Sequence, residues 1–365
     1  MRGGHHTAMA GPLCGLKIIE LAGIGPAPFA AMMLADHGAE VFRIERRGMI
    51  GFAGDPLTRS RRSISLDLKS DAGRGIAFEL ARRADALLEG YRPGVAERLG
   101  LGPDELLSAN PKLVYGRVTG WRRDSEMADA PGHDINYLAA TGLLHAMGED
   151  GRPPAPPLNL VSDFAGGGMM LAFGMVAALL DVQRGGEGQV VDVAMVDGAA
   201  LVGSLIYGMR SAGLWSGERA SNLLDGGDPL YRCYQCADGR YIALGAIEPQ
   251  FRAALLEGLG LTRIVTAVEV AAVVATRTRD EWTTHFAGTD ACVSPVLTLD
   301  EAMQHERFLD LAGVRQPAPA PGYSRTTLAD PAPPRQEGQD GDGILAELGY
   351  GDAEIARLRA EGVLL

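Results

Sequence analysis

Apolar and polar positions alternate along this chain in blocks whose period switches between strand-like and helix-like. Residues 16–21 are mostly apolar between Gly15 and Gly23, as expected of a strand buried on both faces of a parallel sheet. Gly23-Ile24-Gly25-Pro26 then makes a turn, and Pro26 or Pro28 suits the first position of a helix that Gly38 stops. Residues 39–45 complete a βαβ unit. Ser70 or Asp71 caps a helix with Ile76, Leu80, Ala84 and Leu87 on its apolar face. Strands follow at residues 85–89 and 113–118, with a helical stretch near residues 103–109 between them. Such alternation predicts an α/β fold with a doubly wound parallel sheet, and a ligand crevice beyond the carboxyl ends of its strands.

Further on, Ile135, Leu138, Gly142 and Leu143 keep a helical period, with His133 in the first turn. Asp163 is expected to begin the next helix, over residues 164–181, just before Gly166-Gly167-Gly168. A strand at 188–193 and an apolar helix at 195–209 follow, and the methionines 169, 170, 175, 195 and 209 are read as core. The character changes at Asp225: residues 230–236, the turn Asp238-Gly239 and residues 240–246 predict a hairpin in a second domain. A helix through residue 259, a helical region to 288 and a short strand at 293–297 continue it. The predicted organisation is a disordered extension (1–8, with Met9 as the natural start), a large domain (9–198), a linker helix (199–224) and a small domain (225–315). An extended connection with C-terminal helices returning to the large domain (316–365) completes it.

Composition narrows the classes. The 365 residues are 46% hydrophobic and 22% charged, which fits an ordinary globular protein. A net charge of −12 argues against wholesale binding to nucleic acid or an anionic membrane surface. Four cysteines (Cys14, Cys233, Cys236, Cys292) are too few for a disulfide framework and fit a reducing compartment. With no apolar leader in residues 1–8, and an apolar run (169–180) shorter than a membrane span, a cytoplasmic enzyme is expected. Cys233 and Cys236 make half a zinc motif without a second half, and residues three apart on a strand face opposite ways.

Against that acidic background, Arg46, Arg47, Arg59, Arg61, Arg62, Lys69, Arg92 and Arg98 group at strand ends, where guanidinium forks and an ammonium suit phosphate oxygens. Gly23-x-Gly25 with Glu45 hints at a dinucleotide site, but the third glycine is missing and prolines occupy the turn. His133 and Asp163, both at helix starts, are the candidate acid–base pair. The helix dipole there favours a neutral imidazole and an ionised carboxylate, and neighbouring glycines would let a substrate approach the backbone. The plainer alternative for each is helix capping. Glu248 sits between an apolar strand end and Pro249, an odd place for a merely solvated acid.

These segments resemble a known family. Leu16-Lys17-Ile18-Ile19-Glu20-Leu21-Ala22-Gly23-Ile24-Gly25-Pro26 is similar to the opening of alpha-methylacyl-CoA racemases, a branch of the family III CoA-transferases. Gly132-His133-Asp134-Ile135-Asn136-Tyr137, residues 159–168, residues 222–227 and Ala246-Ile247-Glu248-Pro249-Gln250-Phe251 resemble that branch in particular. The resemblance implies an interlocked homodimer, each subunit with a large Rossmann-like domain and a smaller α+β domain. It implies His133 and Asp163 as the two bases, with Glu248 as partner of the histidine, supplied by the other subunit through the interlocking. It places contacts to coenzyme A (CoA) on Arg46, Leu66, Asp67, Leu68, Lys69, Glu89, Arg92, Arg98, Gly132, Asp134, Ile135, Asn136 and Tyr137.

The implied activity is interconversion of (R)- and (S)-2-methylacyl-CoA thioesters through an enolate. Backbone amides at the Asp163 helix start are the expected enolate donors, and no cofactor is called for beyond the CoA carried by the substrate. One departure stands out: Arg122-Arg123-Asp124-Ser125-Glu126 replaces the family's usual Gly-Gln-x-Gly-Pro after Trp121, which puts substrate choice in question. The rival readings are a CoA-transferase with Asp163 as nucleophile and a non-catalytic CoA-binding paralogue.

Overall fold

The computed structural model describes residues 10–46, 48, 52, 54–263 and 266–365. The predicted extension, Met9 and Arg47 lie outside the described residues. Six parallel strands form the central sheet: β1 (Lys17–Leu21), β2 (Glu40–Glu45), β3 (Arg61–Ser65), β4 (Ala86–Glu89), β5 (Val114–Thr119) and β6 (Val190–Ala194). Their order is β3-β2-β1-β4-β5-β6, so the direction of winding reverses between β1 and β4. At such a switch point the loops after the two strands diverge and open a crevice.

Strand alternation divides the core. Ile19, Leu21, Phe42, Leu87 and Tyr115 face one layer, where helix Asp71–Arg82 packs with Ile76 and Leu80. Ile18, Val41, Leu88 and Val114 face the other, against helix Pro26–Asp36 and Leu171, Met175 and Leu179. Small residues Ala27, Ala30 and Ala31 let helix Pro26–Asp36 lie close to the sheet. Ser70 caps the first of these helices, its hydroxyl accepting from Gly73 N–H at 3.0 Å. That helix ends at Arg82, so Leu87, expected on its face, belongs to β4 instead. The backbone N–H of Asp85 donates to Lys17 O at 2.9 Å and draws the chain into the sheet.

The helix bearing Asp163 starts earlier than expected. It runs Leu160–Gln183, with π geometry over Leu160–Met169 and α geometry over Met170–Gln183. By length and composition it could cross a membrane, yet its buried side packs on the sheet through Leu171, Met175 and Leu179. The Gly166-Gly167-Gly168 run serves packing rather than substrate access. A Cβ on Gly166 would lie 2.5 Å from Ala199 N, and one on Gly168 2.7 Å from the Phe29 ring. Of the expected core methionines, Met175 and Met195 are buried, whereas Met169 is exposed.

Two compact units emerge. The first holds the described residues up to Ala140, Leu158–Val202 and Glu306–Leu365. Its C-terminal helices Gly341–Leu348 and Asp352–Ala360 return to the sheet, burying Ile344, Leu345, Ile355 and Leu358. Arg59 donates to Gln316 Oε1 at 3.0 Å and Pro317 O at 2.7 Å, so the hairpin formed by Phe308–Leu311 and Val314–Pro317 belongs here and not to the small domain.

The second unit is Thr141–Pro157 with Gly203–His305. Its antiparallel sheet, β7 (Tyr231–Gln235), β8 (Tyr241–Gly245) and β9 (Val293–Val296), contains the expected hairpin. Ile242, Leu244, Leu255, Val270, Trp282 and Phe286 make its core. The loosely read helical region resolves into helices Ala267–Val274 and Arg279–Phe286, each opened by a Thr/Glu capping box. Segment 141–157, expected in the large domain, is tied here by Arg219, which donates to the carbonyls of His145, Glu149 and Arg152. The linker helix is two helices, Met195–Val202 and Ser204–Ser211, separated at Gly203. Cys233 is exposed and Cys236 buried, the opposite facings expected of that pair.

Candidate active site

Within the first unit, a cavity of about 420 Å³ opens beyond the carboxyl ends of β1, β4 and β5. Residues 24–26, 90–93, 118–121 and 128–133 line it, with Tyr137, Asn159, Asp163 and Met195. It therefore brings His133 and Asp163 together at the switch point, 30 residues apart in sequence.

His133 stands at the start of helix Asp134–Ala140 and is exposed. Its carbonyl accepts from Asn136 N–H at 2.8 Å, and its own N–H donates to Asn136 Oδ1 at 3.1 Å, which fixes the turn. Tyr137 is buried behind it: the phenol donates to Gly132 O at 2.5 Å, and the ring meets Trp121 edge-on at 5.1 Å. A Cβ on Gly120 would lie 2.1 Å from that ring and one on Gly132 2.8 Å, so both positions must be glycine for the tyrosine to fit.

Asp163 lies in the first turn of its helix and is partly buried. Asn159, one helical turn earlier, donates to its Oδ2 at 3.3 Å, and a Cβ on Gly25 would come within 3.7 Å of the same oxygen. Burial raises the Asp163 carboxyl above its ordinary range. The Asn159 hydrogen bond opposes this, Asp134 adds to it and His133 opposes it. Where the sequence suggested a carboxylate favoured by the helix dipole, desolvation is the largest influence on Asp163 and acts in the opposite direction.

Asp134 occupies the start of the Asp163 helix. Its buried Oδ2 accepts from Ser162 N–H at 2.7 Å and Asp163 N–H at 2.8 Å. A negative charge therefore sits on the helix start, and these two amides are occupied rather than free to hold an enolate oxygen. The Asp134 carboxylate points inward to this cap, leaving its backbone as the part that could meet a ligand.

The basic cluster sorts into two groups. Arg59 pairs with Asp36, Arg61 with Glu20, and Arg62 with Glu40 and Glu347, so these arginines hold the fold together and are not free for an anion. Glu45, the imagined ribose acid, pairs with Arg43. Arg46, Lys69, Arg92 and Arg98 are exposed, and Arg92 lines the cavity. Leu66 and Leu68 are buried in the core, which leaves Asp67 and Lys69 as the side chains of that segment that face outward. Ile135 and Asn136 are exposed on the His133 helix.

Glu89 is 1% exposed at the end of β4, and burial pushes its carboxyl up to about 7. Its Oε2 accepts from Tyr91 N–H at 2.5 Å, an internal role rather than a ligand contact. Glu248 belongs to the second unit, exposed at the N-cap of helix Pro249–Leu259, and its side chain makes no capping bond. Asn159 and Trp121 border the His133–Asp163 pair without a motif that marks them. Asn159 was findable as the i−4 neighbour of Asp163, whereas the place of Trp121 against Tyr137 depends on packing.

A Rossmann-ordered parallel sheet with a histidine and an aspartate lining a cavity at its switch point defines an α/β enzyme-type scaffold with a preformed small-molecule crevice. The chain matches the model of "CoA-transferase family III" over residues 13–328, and it belongs to that family. It is 43% identical to the alpha-methylacyl-CoA racemase of mouse, over 96% of this chain and 97% of that one. To the human alpha-methylacyl-CoA racemase it is 41% identical over the same shares. A crystal structure of a CAIB/BAIF family protein from Brucella suis shares the fold, with a TM-score of 0.79 at 23% identity over 93% of this chain and 100% of that chain.

Proposed function

We propose that this protein is a 2-methylacyl-CoA racemase that works by two-base proton transfer at the carbon next to the thioester carbonyl. The observation that carries the reading is that His133 and Asp163 line one cavity, while burial raises the proton affinity of Asp163. Burial favours the protonated form of Asp163 more than an exposed carboxyl would, the direction required of a group that must return a proton as well as remove one. The racemase names of the mouse and human relatives support the same chemistry.

For one epimer, neutral His133 removes the α-proton and the electron pair forms the enolate. Protonated Asp163 then delivers its proton to the opposite face. The other epimer runs the roles in reverse. The pair thus holds one exchangeable proton in either resting state, and substrate and product balance without a redox step. The donor to the enolate oxygen is a group other than the occupied amides of Ser162 and Asp163. CoA phosphates are held by Arg46, Lys69, Arg92 and Arg98, with the backbone of residues 132–137 beside the thioester. Their exposure in an otherwise acidic chain supports this assignment.

The active form in this proposal is an interlocked homodimer with a large and a small domain per subunit, in which the partner subunit provides Glu248 to orient His133. Support comes from the exposed apolar stripe Met169, Phe173, Val176 and Leu180 on the Asp163 helix, with Leu201 and Val202 on the helix after β6. A reducing, cytoplasmic setting accords with a chain of only four cysteines.

The test is α-hydrogen exchange. Incubated with a single epimer of a 2-methylacyl-CoA in heavy water and no acceptor acid, the enzyme incorporates deuterium and yields both epimers. Transfer of CoA to an added acceptor acid without α-deuterium identifies a CoA-transferase with Asp163 as nucleophile. Binding of CoA without any label identifies a non-catalytic paralogue.

A further inference from the structure

After Trp121 the chain turns one arginine inward. The Arg123 guanidinium lies 3.5 Å from Glu89 Oε1, 3.4 Å from Glu97 Oε1 and 4.0 Å from Asp192 Oδ2. These three acids come from β4, helix Val95–Arg98 and β6, so a single side chain bridges three elements. Cavity-lining segments flank its loop. Trp121 precedes it, and residues 128–133 follow it up to the candidate base. Residues 90–93, immediately after Glu89, form another part of the wall. The Arg123–Glu89 pair thus joins the roots of the two walls.

We propose that Arg123 is a positioning residue that clamps these two walls together through Glu89 and so sets how tightly the cavity holds its acyl-CoA thioester. The inference rests on the proposed acyl-CoA reading of the cavity, and it makes Glu89 an internal partner of Arg123 rather than a ligand contact.

The surrounding charges make the clamp sensitive to protons. Glu89 is faced by Arg123 from the loop, Glu97 from helix Val95–Arg98, and Arg117 and Tyr115 from β5. Asp192 approaches both arginines from β6, at 2.6 Å from Arg117. Three carboxyls therefore share two guanidinium groups, and one carboxyl can take up a proton and leave the group balanced. Glu89 is the most buried of the three (1% side-chain exposure, against 38% for Glu97 and 37% for Asp192), and burial raises its carboxyl to about 7. Above that pH the clamp is a charged pair. Below it, Arg123 is left to the more exposed Glu97 and Asp192, and the walls are held less firmly.

The experiment compares steady-state racemisation of a 2-methylacyl-CoA by the full-length wild type, Arg123→Gln, Arg123→Lys and Glu89→Gln across neutral pH. At high pH, Arg123→Gln is expected to raise KM about fivefold with kcat within about twofold, the size set by one partly buried pair. Its KM relative to wild type should fall towards one as pH drops through about 7, because the wild type then loses the pair too. Arg123→Lys restores part of the high-pH KM, and Glu89→Gln reproduces the raised KM. A purely structural role would lower thermal stability without that pH-dependent ratio. A KM ratio of one at every pH, or a loss in kcat at constant KM, overturns the clamp. Should Arg123→Gln not fold, the KM of Glu89→Gln decides alone. If the wild type turns over no substrate, the racemase reading has failed, and calorimetric Kd values for free CoA on the same variants decide the clamp: equal values overturn it.

Discussion

Asp134 holds Asp163 by the backbone: its buried carboxylate accepts the Asp163 N–H at 2.8 Å and the neighbouring Ser162 N–H at 2.7 Å. The candidate base therefore sits on a helix start already occupied by a negative charge, and that charge raises the Asp163 carboxyl further. Asp134→Asn keeps an acceptor but removes the charge. It should move the acidic limb of the kcat/KM profile to lower pH, because Asp163 then ionises more easily. Asp134→Ala leaves two buried amides unsatisfied and should cost about 2–4 kcal/mol in urea unfolding.

Two bases facing one carbon give a signature that one base cannot. His133→Ala and Asp163→Asn should each lower racemisation by on the order of 10²–10⁴. Each variant should retain α-deuterium exchange with the epimer whose proton faces the remaining base. Proton NMR of each pure epimer in heavy water reads this directly. Equal loss of exchange with both epimers in both variants would leave the two-base scheme without support.

Gly25 faces the Asp163 carboxylate with φ of +71°, in the conformation that follows β1 and precedes Pro26. Gly25→Ala forces a side chain into that conformation and places its Cβ about 3.7 Å from Asp163 Oδ2. The strain should lower stability by about 1–3 kcal/mol. The added methyl also narrows the approach to the carboxylate, so kcat/KM should fall beyond what unfolding explains, as active-site titration against folded protein would reveal.

Glu89 should make stability depend on pH in an unusual direction. Its folded carboxyl is raised from 4.5 to about 7, so the folded state binds the proton more tightly than the unfolded chain. The corresponding stabilisation is fully present below about 4.5 and is lost as pH rises through about 7. The difference amounts to roughly 3 kcal/mol. Glu89→Gln cannot titrate, so its stability relative to wild type should increase by about that amount between acidic and alkaline solution in urea melts. A constant difference would mean Glu89 is not desolvated as described.

Local pattern alone was enough for most of the fold. Buried runs at residues 16–21 and 39–45, punctuated by Gly23, Pro26 and Gly38, dictate a βαβ unit because strand and helix periods are properties of neighbouring residues. The same logic put His133 and Asp163 at helix starts and the hairpin after Asp225 in place. Tertiary structure decided what those side chains do. Arg59, which sequence grouping alone suits to an anion, instead meets Asp36, 23 residues away, and Gln316, 257 away. Asp134, its neighbour His133 turned to the cavity, closes inward on a helix that begins 26 residues later. The three glycines after Asp163 are fixed by Ala199, by Met195 with Pro26, and by Phe29 rather than by a ligand. Charge pairing, desolvation and close packing depend on which distant segments come into contact, and that information appears only once the chain has folded.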